Sequence, residues 1–153
     1  MQPNILVPAK MRAMRRTVTC ALAALAISVT SLPAISAEPG LHIELNKTEN
    51  IDDVCHGLFV FQNKLGQTLK TLSMELVVFS RDGGIDQSLL VGMAPLLTDK
   101  TSVARFVLSK NNCDTVGRVL INQFPICKGI TEEPVNCLSG LSVSSRSTIE
   151  FFK

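Results

Sequence analysis

The chain has 153 residues, of which 46% are apolar, 15 are Lys or Arg and 13 are Asp or Glu. Four of the cations and none of the acids precede Glu38, so residues 38–153 carry 11 cations and 13 acids, a net charge of −2. This balance excludes the basic surface that nucleic acid or an anionic membrane would need, and the length fits one domain with a single core.

The first 37 residues have the organisation of a secretory signal peptide. Cations between Lys10 and Arg16 precede a mostly apolar run, residues 18–29, and small residues lead up to Ala37. A run of about a dozen residues is too short to span a bilayer. We therefore predict a signal peptide of residues 1–37 and a periplasmic or secreted domain of residues 38–153. The adjacent arginines before residue 17 leave open whether export follows the general or the twin-arginine route.

Hydrophobic residues after the signal recur with period two, which is typical of strands. Arg81, Asp82, Gly83 and Gly84 interrupt one such pattern and predict a tight hairpin turn, because Asp-Gly and Gly-Gly tolerate positive φ. The predicted strands lie, in chain order, in residues 41–45, 58–61, 72–78, 85–91, 102–108, 116–122 and 146–152.

Seven short strands and no helical pattern predict an all-β fold, an antiparallel immunoglobulin-like β-sandwich. The chain has no Trp and no Tyr. The buried Trp and the tyrosine corner of antibody domains are therefore absent, so the expected likeness is one of architecture alone.

Four of the five cysteines follow the signal, an even number in an oxidising compartment, and they predict two disulfides with three alternative pairings. We favour the pairing in which one bond closes the polar loop of residues 128–136 and the other joins the starts of two strands. The two predicted bonds are Cys127–Cys137 and Cys55–Cys113.

The segment "LFVFQNKLGQTLKTLSMELVVFSRDGGIDQSLLVGMAPLLTDKTSVARFVLS", with "CDTVGRVLINQFPIC" after it, resembles a family of small exported alphaproteobacterial proteins. Members are uncharacterised and are often labelled as carrying a twin-arginine signal, and the resemblance covers most of residues 41–152. The chain is also similar to bacterial immunoglobulin-like domains in two patterns, N-x-x-G-x-x-L and F-x-x-D-G. These resemblances imply a fold and a compartment but no catalytic residue. The pattern positions are Asn63, Gly66, Leu69, Phe79, Asp82 and Gly83.

No residue set predicts chemistry. His56 follows Cys55, but neighbours in a strand point to opposite faces, so the two side chains would not meet. The acid pairs Asp52-Asp53 and Glu132-Glu133 lack further carboxylates at calcium-loop spacing. The serines of residues 139–147 form no nucleophile elbow, and a partnership with His42 or His56 has no support in the sequence. We predict no catalytic, cofactor-binding or metal-ligating residue, and no cofactor.

Three classes of function stay open. The leading hypothesis is a non-enzymatic exported β-domain that contacts an unidentified protein or serves as an envelope accessory, with no nucleic acid partner and no membrane span after the signal. The second is a periplasmic metal carrier. The third is a small inhibitor or hydrolase that uses the loop of residues 128–136, held rigid by its disulfide.

Overall fold

The structure is a computed structural model that describes residues 39–153, so the predicted signal peptide of residues 1–37 lies outside the described residues. The described residues form eight strands and one short 3₁₀ turn. None of their helices is long and apolar enough to cross a membrane. The elements are β1 (Leu41–Ile51), β2 (Val54–Asn63), β3 (Leu69–Ser80), β4 (Ile85–Met93), β5 (Thr101–Ser109), the 3₁₀ turn (Cys113–Thr115), β6 (Val116–Gly129), β7 (Ser142–Ser145) and β8 (Glu150–Phe152).

The strands form two four-stranded sheets packed as a sandwich, which confirms the predicted all-β fold. The first sheet has the order β5-β2-β1-β7 and the second has the order β4-β3-β6-β8. Most neighbours are antiparallel, but β7 runs parallel to β1 and β8 runs parallel to β6. The sandwich is therefore antiparallel as expected except at these two edges, and the immunoglobulin-like arrangement stays a prediction.

One apolar layer between the two sheets holds the fold together. Alternate side chains of β2 and β3 are buried, as the period-two pattern of β3 predicts, whereas β2 was predicted from a continuous apolar run. Phe59 and Phe61 are fully buried from β2. The Phe59 ring meets Phe151 of the second sheet edge to face, with ring centroids 5.3 Å apart. Such aromatic pairs favour this geometry, so the contact helps to fix the two sheets against each other.

Strand β6 is longer than the sequence indicates. The predicted strand ends at Asn122, but β6 continues to Gly129 beside the first residues of β3. Pro125, which lacks a backbone donor, is the residue that argues against this continuation. The β3–β6 register shifts between Ser73 and Glu75, opposite Pro125, and such irregularities are where a proline is tolerated within a sheet.

The last predicted strand, residues 146–152, is shorter than expected, because only its last three residues form β8, and the eighth strand, β7, was not predicted. Strand β7 ends at Ser145 and the chain crosses to the other sheet before β8 begins. The Ser145 hydroxyl accepts a hydrogen bond from the backbone N–H of Ser147 at 3.2 Å and donates to the carbonyl of Ile149 at 2.7 Å. Serine side chains that bond nearby backbone in this way favour turns over strands.

The two disulfides lie at opposite ends of the sandwich and have the favoured pairing. Cys55 at the start of β2 is bonded to Cys113 in the 3₁₀ turn, with the Cα atoms 4.6 Å apart. The backbone N–H of Cys55 also donates to the carbonyl of Asn111 at 2.9 Å. This end contains the predicted hairpin turn of residues 81–84, whereas Cys127 and Cys137 close the other end.

We predict that Phe61→Ala lowers the free energy of unfolding by about 3 to 5 kcal/mol, because a fully buried ring leaves a cavity between the sheets. Urea denaturation measures the change. Val103→Ala, on the adjacent strand β5, is the control, since Val103 is 61% exposed and its truncation should change stability by no more than about 0.5 kcal/mol. Equal losses in the two variants would contradict the assigned core.

Candidate functional site

The best-defined exposed feature is a turn that we call the disulfide-closed turn, residues 128–136. It begins in the last two residues of β6, directly after Cys127, and is closed by the bond from Cys127 to Cys137, whose Cα atoms are 6.2 Å apart. Cys127 and Cys137 are buried, while residues 130–134 between them are all exposed. The chain therefore projects from a fixed base into solvent.

Backbone hydrogen bonds make this turn a short hairpin. The N–H of Val135 donates to the carbonyl of Cys127 at 2.9 Å, and the N–H of Gly129 donates to the carbonyl of Glu133 at 3.2 Å. Three residues, 130–132, form its tip, and the last of them, Glu132, has a φ of 64°. A three-residue hairpin loop whose last residue is left-handed is a common connection between strands. The disulfide therefore staples a turn whose backbone is already specified.

An ion pair fixes the tip to the sheet. The ammonium group of Lys70 in β3 donates to the Glu132 carboxylate. This hydrogen bond, then the charges of Lys70 and Lys128, holds the pKa of Glu132 below its usual value of 4.5. Because the lowered pKa means a favourable contact of the ionised form, the attachment is present above pH 4.5 and is lost as the pH falls through the lowered pKa. A left-handed backbone conformation is unfavourable for residues other than glycine. Glu132 adopts this conformation, and its carboxylate is the one that accepts from Lys70.

The tip presents one large apolar side chain with acids beside it. Ile130 is 67% exposed, and Glu132 and Glu133 follow it closely in the chain. Leu138, just after the disulfide, is 50% exposed. An apolar side chain surrounded by polar groups is an arrangement that protein–protein interfaces also have.

A second polar cluster surrounds His42 on the outer face of the first sheet. His42 Nδ1 lies 3.0 Å from the Ser142 hydroxyl and His42 Nε2 lies 3.3 Å from the Ser144 hydroxyl. The parallel pairing of β1 and β7 places His42 opposite Ser142, so the first contact is a cross-strand polar pair. Neither contact involves a carboxylate that would orient the imidazole as a catalytic base requires. The grouping was not foreseen, because nothing in the sequence indicates that β7 joins β1.

A pocket of about 430 Å³ lies beside this cluster. Its polar walls include His42, Lys64 and Lys153. Lys64 lies 3.6 Å from Asp99, and the Lys153 ammonium donates to the carbonyl of Leu141, so each lysine already has a partner within the domain. Both lysines of the pocket therefore make their contacts within the domain, and neither marks a ligand site.

The residues that the sequence analysis considered for chemistry have structural roles or lie apart from one another. Cys55 is buried in its disulfide, whereas His56 is partly exposed and its Nδ1 lies 3.1 Å from the carbonyl of Val54. Asp52 and Asp53 form the two-residue turn between β1 and β2, with φ values of 52° and 63°. Two consecutive positive φ angles are typical of a type I′ hairpin, for which Asp is a tolerated residue. This acid pair is therefore a turn rather than a calcium site.

Within residues 39–153, no group of three His, Cys, Asp or Glu side chains is placed to hold a metal ion. All four cysteines of that part of the chain are in disulfides, so none offers a thiolate. Comparison of the chain with protein-family models, with curated proteins and with solved structures found no match.

We predict that replacing both Cys127 and Cys137 by Ser lowers the free energy of unfolding by about 3 kcal/mol, because a closed loop of this length restricts the unfolded chain by that amount. Urea denaturation measures the loss, and peptide mapping without reductant checks the pairing. The double variant should retain Cys55 bonded to Cys113. Unchanged stability, or a peptide in which Cys55 is linked to Cys137 in the unaltered protein, would contradict the assignment.

Proposed function

We propose that this protein is an exported, non-enzymatic binding domain that contacts a protein partner through the disulfide-closed turn. The observation that carries the proposal is the geometry of Ile130, a largely exposed apolar side chain on a turn held by a disulfide and an ion pair. An exposed apolar side chain contributes to protein–protein binding when a partner buries it, because its apolar surface then leaves water.

The rigidity of the turn supports this function in energetic terms. A flexible loop loses conformational freedom when it binds, and that loss opposes association. Here the hairpin hydrogen bonds, the disulfide and the Lys70–Glu132 pair order the turn before any partner arrives. Glu133 beside the anchor would favour a partner surface that carries basic residues, because complementary charge steers encounter and register.

Export is part of the proposal and draws on two observations. The two disulfides of the domain are typical of an oxidising compartment such as the periplasm. The first 37 residues have the composition of a signal peptide. The resemblance to small exported alphaproteobacterial proteins is consistent with this compartment and adds no activity.

If the partner is a protease, the protein would act as its inhibitor. The exposed residues 130–134 would enter the protease cleft, and the disulfide would keep the turn in one conformation. The metal-carrier alternative draws no support from the cysteines, which are oxidised in pairs. A hydrolase built on His42 draws no support from its hydrogen bonds, because both go to serines and neither goes to a carboxylate that would orient the imidazole.

We predict that Ile130→Lys abolishes capture of the partner by the exported protein, because a charged side chain cannot fill the apolar position that the anchor occupies. The bait is purified from the periplasm with its disulfides intact, and captured proteins are quantified by mass spectrometry. Inhibition of broad-specificity proteases is assayed in parallel, to identify an inhibitor.

Ile85→Lys is the matched control for this experiment. Ile85 is 69% exposed against 67% for Ile130, and it lies at the opposite end of β3 from the turn. The control should capture the partner as well as the unaltered protein does. His42→Ala should also retain capture, since no partner contact is assigned to it. Loss of capture in Ile85→Lys as well, or a catalytic activity that His42→Ala abolishes, would overturn the proposal.

A further inference from the structure

The four edges of the two sheets differ in how well they are protected against pairing with another chain. Strands β7 and β8 are edge strands of four and three residues, and β5 carries Arg105 at its middle. Short edges and central charges are two of the means by which proteins block edge-to-edge association. Strand β4 is nine residues long, and its charged residue, Asp86, and its register shift both lie near its first end, so residues 88–93 are the unprotected stretch of this edge.

One end of this edge is already occupied by β5. The Gln87 amide donates to the carbonyl of Leu108 at 2.5 Å, and the Ser109 hydroxyl donates to the Asp86 carboxylate at 3.1 Å. Beyond these contacts, residues 88–93 pair only with β3, which leaves the backbone groups of their other side without a strand. Leu90 lies in the middle of this open stretch and is 70% exposed.

We propose that a second copy of this chain pairs with β4, antiparallel and about a two-fold axis at Leu90, so that the two β4 strands join the second sheets of both copies into one. A two-fold axis perpendicular to the sheet keeps the buried face of both strands on the same side of the joined sheet. In such a pair one residue lies directly opposite the same residue of the other copy, and the axis passes between the two. Centring on Leu90 uses the stretch that β5 leaves open. It sets Ser88 opposite Gly92 and Leu89 opposite Val91 of the other copy.

Charge and symmetry favour a second copy over an unrelated extended peptide. The charged residue of β4 is Asp86, and this register sets it opposite Ala94, with the two Asp86 side chains about 26 Å apart at 3.3 Å per residue. No like charges therefore face each other across the pair. The axis also places each exposed Leu90 beside its copy, where both lose contact with water. The contact is self-complementary and joins two copies only. Both open β4 edges are then paired, so no third copy can add to the sheet there.

Charge substitution at the axis tests the register as well as the dimer. The unaltered exported protein should sediment as a dimer at high concentration. Leu90→Lys and Leu90→Glu should each weaken the dimer at least about tenfold, because each variant opposes two like charges. An equimolar mixture of the two variants should recover the dimer, since residue 90 of one copy then meets the opposite charge. Ile85→Lys, equally exposed but outside the paired stretch, should dimerise normally.

A cross-linking measurement keeps the test independent of any loss of folding in the charged variants. Leu90→Cys should form a disulfide between copies on mild oxidation, because directly opposed residues have Cβ atoms about 4.5 to 5.5 Å apart. Ile85→Cys should not. A protein that is monomeric at every concentration, a dimer that Leu90→Lys leaves intact, or a monomer that binds extended peptides along β4 would overturn the proposal. Ile130 is not part of this surface, so these outcomes are separate from those of the turn.

Discussion

The apolar layer between the two sheets is the constraint on which the rest of this domain depends. Phe59 and Phe61 supply its largest side chains, and the strands that bury them have no freedom to shift by one residue, because such a slip would turn the apolar set toward water. A domain of this size buries a modest core, and disulfides at its two ends supplement that core. The ends of the strands, and the turns that join them, therefore have fixed positions.

The disulfide-closed turn derives its geometry from that fixed end. Cys127 and Gly129 are buried residues of β6, so the turn leaves the sheet from a position that the core sets. A Cβ atom at Gly129 would lie 2.9 Å from the Gln67 amide oxygen, so a larger residue there would require the flexible Gln67 side chain to move. Lys70 then reaches the tip from the neighbouring strand. Sheet, disulfide and ion pair together restrain the turn that carries the exposed Ile130, and the proposed binding role depends on this restraint.

A continuous apolar run was sufficient to predict part of β2, a period-two pattern was sufficient to predict most of β3, and the polar loop and the strand starts were sufficient to predict the cysteine pairing. The predicted and observed strands differ where contacts between distant parts of the chain determine the structure. Pro125 argues against a strand locally, but β3 supplies a partner with an irregular register there. Residues 146–149 resemble a strand until the Ser145 hydroxyl bonds the backbone after it. The loop of residues 128–136 was foreseen as a candidate site, whereas the Lys70–Glu132 contact joins residues 62 positions apart and has no signal in the sequence.

The central claim is that the turn is ordered before it binds, and backbone ¹⁵N relaxation of the exported protein tests it most directly. The amides of residues 130–133 should have order parameters of about 0.85, as those of β3 and β6 should, and replacing both Cys127 and Cys137 by Ser should lower the values in the turn alone. Order parameters below about 0.6 in the oxidised protein would show a flexible tip, and the account of Ile130 as a preorganised anchor would then be wrong.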